Sequence, residues 1–290
     1  MVDWINTVLQ GLLLGGLYAL FATGLSLSFG IMRLVNIAHG DMIVLAAYLA
    51  YAVVSRFGLN PFVALLVVVP VMAAWGYGLQ RVVLSRSLTG SILTPLMVTL
   101  GLSIITQNVL VSVFSADSRA IPAGGVETAE VPVAGGVTLG LYPLIVMATA
   151  IGVIVGLQLL LSRTELGRAF RATSDDQATA QLMGIDNRRL YGLAMAIAMG
   201  IVGLAGVYLG IRANFDPSAG PSHLIYAFEA VVIGGLGSLW GTLAGGMILG
   251  VSQSIGFRLD PGWGILASHL AFLAVLVLKP NGLFPRTRDR

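Results

Sequence analysis

The chain has no cysteine, one lysine (Lys279) and only three histidines, His39, His223 and His269. Without cysteine there is no disulfide framework, no thiolate nucleophile and no Cys-ligated metal. The histidines are too scattered for a zinc motif, so no metal site is expected. A P-loop needs Gly-x4-Gly-Lys-Ser/Thr so that lysine and backbone amides hold phosphates. Lys279 is followed by Pro280, which excludes a P-loop ATPase. Neither a Gly-x-Ser-x-Gly elbow nor a His-Glu-x-x-His pair is present, and no catalytic residue is expected. Charge is scarce as well: 10% of the 290 residues, against roughly 25% in soluble domains.

What is abundant is apolar sequence, 57% of the chain, with a mean hydropathy of +0.90. A water-soluble fold is therefore excluded, and the bilayer is the expected environment. A helix needs about 20 mostly apolar residues to cross the hydrocarbon. Segments 1–30, 41–55, 61–80, 91–115, 140–161, 190–211, 223–237, 240–257 and 263–279 meet or approach that requirement. The expected fold class is thus all-α, a polytopic transmembrane helix bundle of about eight or nine spans forming a single domain, 1–290. Segments 41–55 and 223–237 are the weakest, the first being short and the second carrying Glu229. Met1–Thr7 has no basic leader and contains Asp3, so the first run reads as a retained span.

The net charge of +3 bears on orientation rather than on nucleic acid. With the N-terminus outside, twelve basic residues fall in the cytoplasm: Arg33, Arg81, Arg86, Arg163, Arg168, Arg171, Arg188, Arg189, Lys279, Arg286, Arg288 and Arg290. Four fall outside: Arg56, Arg119, Arg212 and Arg258. The positive-inside rule then predicts a periplasmic N-terminus and a cytoplasmic C-terminus. The Gly/Pro-rich loop 115–140 is placed outside, with a short β-turn segment expected in it, and the polar loop 163–189 inside.

Three segments carry the functional expectations. In the cytoplasmic loop, Ser174 is expected to N-cap a short helix over 175–183, with Asp175 and Asp176 in its first turn. Gly184 would end it. Its apolar residues, Ala178 and Leu182, either pack under the bundle or dock into another protein. In the second segment Asn36, His39 and Asp41 lie within six residues. They either line an aqueous path or sit wet at the cytoplasmic interface, with Asp41 capping the second helix. The third is Glu229 with the glycine cluster Gly234, Gly235 and Gly237 before Ser238, where a helix break is expected. Such a break is tolerated in a membrane only where it is buried or lines a cavity. Glu229 is either a functional acid or a carboxylate bonded to a neighbouring helix. Glycines at four-residue spacing, 237/241/245 with 246 and 250, 152/156 and 206/210, are expected at close helix contacts.

Five of these stretches, in order along nearly the whole chain, resemble the LivH-type permeases of branched-chain amino acid ABC importers. They are Asn36-Ile-Ala-His-Gly-Asp41 with Ala47-Tyr48; Met97-Val-Thr-Leu-Gly-Leu-Ser103; Arg171-Ala172 through Asp176, Ala178, Gly184 and Ile185; Gly234-Gly-Leu-Gly-Ser238 with Gly241; and Leu278-Lys-Pro-Asn-Gly-Leu-Phe284. Ala46 departs from the glycine common at that position. The resemblance implies an inner-membrane importer subunit that works with a LivM-like second permease, two ATP-binding LivG/LivF-like subunits and a periplasmic substrate-binding protein. ATP and Mg would belong to those partners, with no cofactor in this chain. Segment 174–185, with Asp175, Asp176, Ala178, Leu182, Gly184 and Ile185, would be the coupling helix. By analogy with the Gly-interrupted segments that mark substrate sites in secondary transporters, 31–55 and 223–241 would flank the path, with Asn36, His39, Asp41, Glu229, Gly234, Gly235, Gly237 and Ser238 along it. Relatives of this type also move amides, urea, or aromatic and alicyclic carboxylates. A proton-driven secondary transporter using Glu229 or His39 is the competing expectation.

Overall fold

The computed structural model describes residues 2–87, 93–133 and 136–284. Helix α1 (Val2–Met32) is followed by α2 (His39–Phe57) and α3 (Pro61–Leu79). A π-turn (Gln80–Leu84) and the short α4 (Ser85–Ser87) prolong α3, and α5 (Leu93–Phe114) comes next. After the strands β1 (Glu130–Pro132) and β2 (Thr138–Gly140) come α6 (Leu141–Arg163), α7 (Glu165–Asp175) and α8 (Gln177–Leu182). The chain ends with α9 (Asn187–Arg212), α10 (Gly220–Gly234), α11 (Leu239–Leu259) and α12 (Trp263–Leu278). Each of the nine expected crossings contains one of these helices. Residues 91 and 92 of the fourth, and Arg286, Arg288 and Arg290 of the basic tail, lie outside the described residues.

The protein is a polytopic helical bundle. Among the described residues six helices are long and apolar enough to cross a bilayer: α1, α2, α3 with its extension to Ser87, α5, α6 and α9. The count is seven if α10 and α11, bent by 119° at their break, form one span. α12 is apolar but has only 16 residues. Local signals set several boundaries. Asn60 caps α3 by accepting from the Phe62 amide at 2.9 Å, and Pro61 occupies the first turn, where its missing N–H costs nothing.

The centre is α1 and α9, whose apolar windows are each 83% buried, against 22% for α5. α1 runs antiparallel to α11 with the backbones nearly touching. A Cβ on Gly15 would meet Met247 Cα at 2.4 Å, and one on Gly250 would meet the Gly11 carbonyl oxygen at 2.3 Å. The expectation of close helix contact holds at Gly241, Gly245, Gly246, Gly250 and Gly206, whereas Gly210 packs against Ile121 and Phe215 of the connecting loops. It fails at Gly152 and Gly156, where an added Cβ would meet nothing within 4 Å. Those two face outward from α6, so their spacing has no packing partner in this chain.

At the face where α1 begins, β1 and β2 pair antiparallel with Glu130 opposite Gly140, bearing out the turn expected in loop 115–140. Arg258, at the end of α11, reaches back to Asp3 (3.5 Å) and Thr7 (3.0 Å). At the opposite face, α7 lies beside the ends of α1 and α6. α11 therefore runs back to the face where α1 starts. Replacing Gly15 by Leu is expected to destabilise the fold by about 1–3 kcal/mol through overpacking. Gly152→Leu should leave it unchanged, and thermal unfolding in detergent would separate the two.

Candidate functional site

The structure gathers the sequence-selected residues into three groups. The first lies well inside the bundle. The α2 start turns back beside α1, so that His39 packs next to Phe21 and Gly24, about two to three turns short of the α1 end at Met32. His39 Nε2 donates to the Phe21 carbonyl at 2.7 Å, and the residue is fully buried. Asn36 Oδ1 accepts from the Ala38 amide (3.1 Å), fixing the turn that starts α2. The wet, interfacial alternative for this segment is corrected. Asp41 does not cap α2, whose N-cap position is Ala38 with no side-chain bond. Instead Asp41 is buried, and its Oδ1 accepts from Gln107 Nε2 of α5 at 2.9 Å. A Cβ on Gly220 would meet that same Oδ1 at 2.1 Å, so the start of α10 lies directly against Asp41. Among the described residues, Asn36 Nδ2 and His39 Nδ1 have no hydrogen-bond partner.

The second group surrounds the break. Glu229 is bonded to a neighbouring helix, its Oε1 accepting from His269 Nδ1 of α12 at 2.7 Å. His269 stacks on Tyr226 with ring centroids 5.8 Å apart, and Tyr226 stacks on Tyr18 at 4.8 Å. Tyr18 donates in turn to Gln253 of α11. A ribbon of polar aromatic groups thus joins α1, α10, α11 and α12. It is separate from the Asp41 group, with Phe21 and His223, 5.4 Å apart, between them.

The break itself falls where expected. α10 stops at Gly234, Gly235 and Gly237 take φ of +98° and +79°, and Ser238 caps α11 by accepting from the Gly241 amide at 3.2 Å. The last carbonyls of a helix have no partner within it and need donors from elsewhere. The C-terminal segment does. The Leu283 amide donates to Ile233 O (2.8 Å) and the Phe284 amide to Gly234 O (3.1 Å). The Lys279–Phe284 motif is therefore a strap that closes the open end of α10.

The third group is the segment 163–189. Its helix boundaries differ from expectation. Ser174 lies inside α7, and its hydroxyl donates to Arg171 O. Asp176 is the cap: its carboxylate accepts from the amides of Ala178 (2.9 Å) and Thr179 (3.1 Å), so α8 starts at Gln177 and not at 175. The reason is geometric, since Asp176 takes an extended conformation between two helices and Ser174 does not. The Thr179 hydroxyl and these amides hold the Asp176 carboxyl below the usual carboxylate range. Gly184, at φ +84°, ends the element as expected. Asp175 closes α7, and Ile185 is half-buried. Ala178 is exposed, while Leu182 and Met183 are 88% and 80% exposed. A small cavity between Ser26, Gly30, Phe170, Ser174, Gly237 and Leu239 sets α7 beside the break.

Residues 7–278 match the family described as branched-chain amino acid transport system / permease component. The chain belongs to that family. The permease is similar to BraD of Pseudomonas aeruginosa, a high-affinity branched-chain amino acid transport system permease protein. The two are 30% identical over 98% of this chain and 96% of BraD. Similarity to LivH of Salmonella typhimurium is 27%, with the same coverage of both chains. A shorter match, 28% identical, links 45% of this permease to 31% of LivM of Escherichia coli. Family membership does not favour the proton-coupled alternative. No group of three or more His, Cys, Asp or Glu is placed to hold a metal among the described residues.

Sequence reasoning did not single out Tyr18, Gln107, Tyr226 or Gln253. Gln107 and Gln253 carried a usable signal, since a carboxamide within an apolar span is costly without a partner. Valine at position 282 would be strained at φ +80° and would meet Gly235 Cα at 2.6 Å. Gly282→Val is therefore expected to cost about 1–3 kcal/mol and to speed hydrogen exchange at the Leu283 and Phe284 amides. Asn281→Ala should leave both amides protected.

Proposed function

We propose that this chain, as a single permease domain over 1–290, is one of two membrane subunits of an ATP-driven importer for branched-chain or similar small amino acids. The observation that carries the reading is the family match over nearly the whole chain, joined to a cytosol-type helix, α8, that offers bare apolar side chains to a partner. The second subunit is LivM-like, the energy comes from two LivG/LivF-like subunits that hold ATP and Mg, and a periplasmic binding protein delivers the substrate. The chain itself contributes a gated path and no catalytic or cofactor chemistry.

The N-terminus lies outside and the C-terminus in the cytoplasm of the inner membrane. This orientation is supported by the basic residues near the face where α1 ends, Arg33, Arg81, Arg86, Arg163, Arg168, Arg171, Arg188 and Arg189 among them. The α10–α11 pair leaves and returns to the opposite face, so it does not alter which side the tail reaches. Amphipathic helices seated in grooves are a recurring recognition mode. Here Asp176 fixes the start of α8, Gly184 ends it, and Ala178, Leu182 and Met183 enter an ATPase groove, with Asp175 and Ile185 at its margins. Motion passes from α7 to the adjoining break at Gly234, Gly235, Gly237 and Ser238. Asn36, His39, Asp41 and Glu229 line or brace the path that this motion opens.

In proteoliposomes holding the complete complex, leucine delivered by the binding protein should accumulate only with internal ATP. Uptake by the lone chain under a proton gradient would refute the importer reading. Leu182→Asp with Met183→Asp should abolish capture of the ATP-binding subunits, seen by co-purification. The unfolding temperature should be unchanged, because both side chains are solvent-exposed.

A further inference from the structure

α3 and α9 pack along one seam, and two arginines meet at its end. A Cβ on Gly192 of α9 would meet the Tyr77 ring at 2.8 Å and Arg81 Cγ at 3.5 Å. The side chains of Tyr77, in α3, and Arg81, in its π-turn, therefore lie across the start of α9. Arg81 runs back along its own helix. Its Nη1 donates to Tyr77 Oη at 2.9 Å, and its guanidinium lies 5.7 Å from the centre of that ring. Arg188, one turn before Gly192, donates from Nη2 to the Arg81 carbonyl at 3.2 Å.

Each guanidinium is thus held by a neutral acceptor. Neither is ion-paired with a carboxylate among the described residues. Asp186, the acid at the start of α9, is engaged as its cap by the Arg189 amide at 3.1 Å. A long basic side chain at the end of a span ordinarily extends toward water. Arg81 is instead turned back toward the apolar run of α3, and Val82 and Val83 beside it are exposed. Two guanidinium groups on one seam favour an anion between them, and the planar fork of arginine suits a phosphate. Basic pockets between spans bind anionic lipid headgroups in this way. We propose that Arg81 and Arg188 bind the phosphate of an anionic phospholipid at the end of the α3–α9 seam. A lipid is favoured over a soluble phosphate because the exposed valines beside the pair offer its acyl chains an apolar face. The site goes beyond the importer reading and does not depend on it.

The test titrates the full chain, purified in detergent and freed of lipid, with phosphatidylglycerol or phosphatidylcholine and counts bound lipid by native mass spectrometry. Wild type should bind one phosphatidylglycerol about tenfold more tightly than phosphatidylcholine, equivalent to about 1.4 kcal/mol. Arg81→Gln and Arg188→Gln should each remove most of that preference. Arg163→Gln combined with Arg168→Gln takes two exposed charges from the same face and should keep it. Arg188 is exposed, so Arg188→Gln should unfold at the wild-type temperature in the absence of lipid, and it carries the test alone should Arg81→Gln fail to fold. Equal affinity of wild type for the two lipids overturns the proposal and assigns the pair to an acidic partner surface instead. An equal loss in the Arg163 and Arg168 double variant overturns it too, by reducing the effect to net charge. So does displacement of the bound lipid by an equal concentration of glycerol phosphate, which would show that the acyl chains contribute nothing.

Discussion

The close contact of α1 with α11 holds the other parts in place. In a bilayer no hydrophobic force drives helices together, and association rests on packing and interhelical hydrogen bonds. Gly11 and Gly15 on one helix and Gly246 and Gly250 on the other let the backbones meet without intervening side chains. Gly245 then brings α11 against Ala230 of α10, and Gly234 abuts Gly241 across the break. The bent pair is clamped against α1, which with α9 is one of the two most buried spans among the described residues, and Gly234 and Gly235 at the break are buried.

That placement explains why a break can exist at all. Freed carbonyls at Ile233 and Gly234 find donors in the C-terminal strap, and Ser238 receives the Gly241 amide. The polar aromatic ribbon from Tyr18 through Tyr226 to His269 and Glu229 crosses the same helices. Buried polar groups in hydrocarbon need such partners, and a network that joins four helices ties their relative positions together. The cavity beside Phe170 and Gly237 adjoins α7, which sets the cytosol-type segment against the break between α10 and α11.

Much of this was legible in the sequence. Run lengths located the apolar helices, because the hydrocarbon thickness dictates how many apolar residues a span needs. They counted eight or nine crossings, however, where six helices, or seven with the bent pair as one, are long and apolar enough among the described residues. The break at Gly234–Ser238 and the stop at Gly184 were legible because glycine tolerates the positive φ found there. The start of α8 was misplaced at Ser174, since Ser174, Asp175 and Asp176 are all acceptable caps and only the chain direction after α7 chooses among them. Gly152 and Gly156 misled because spacing reports a face and does not report what lies opposite it.

The sequence by itself determined the solvent of this protein, its helical class, its division into spans and loops, and the absence of a nucleotide motif. Each of these depends on local composition or on a length matched to the bilayer. Only the tertiary structure decided that His39 and Asp41 lie inside the bundle, that Glu229 is bonded to His269, that Asp41 orients Gln107, and that the last described residues close the end of α10. These pairings join residues 40 to 66 positions apart or bring distant termini together. No local period encodes them, because they are set by which helix faces meet when small residues allow close approach.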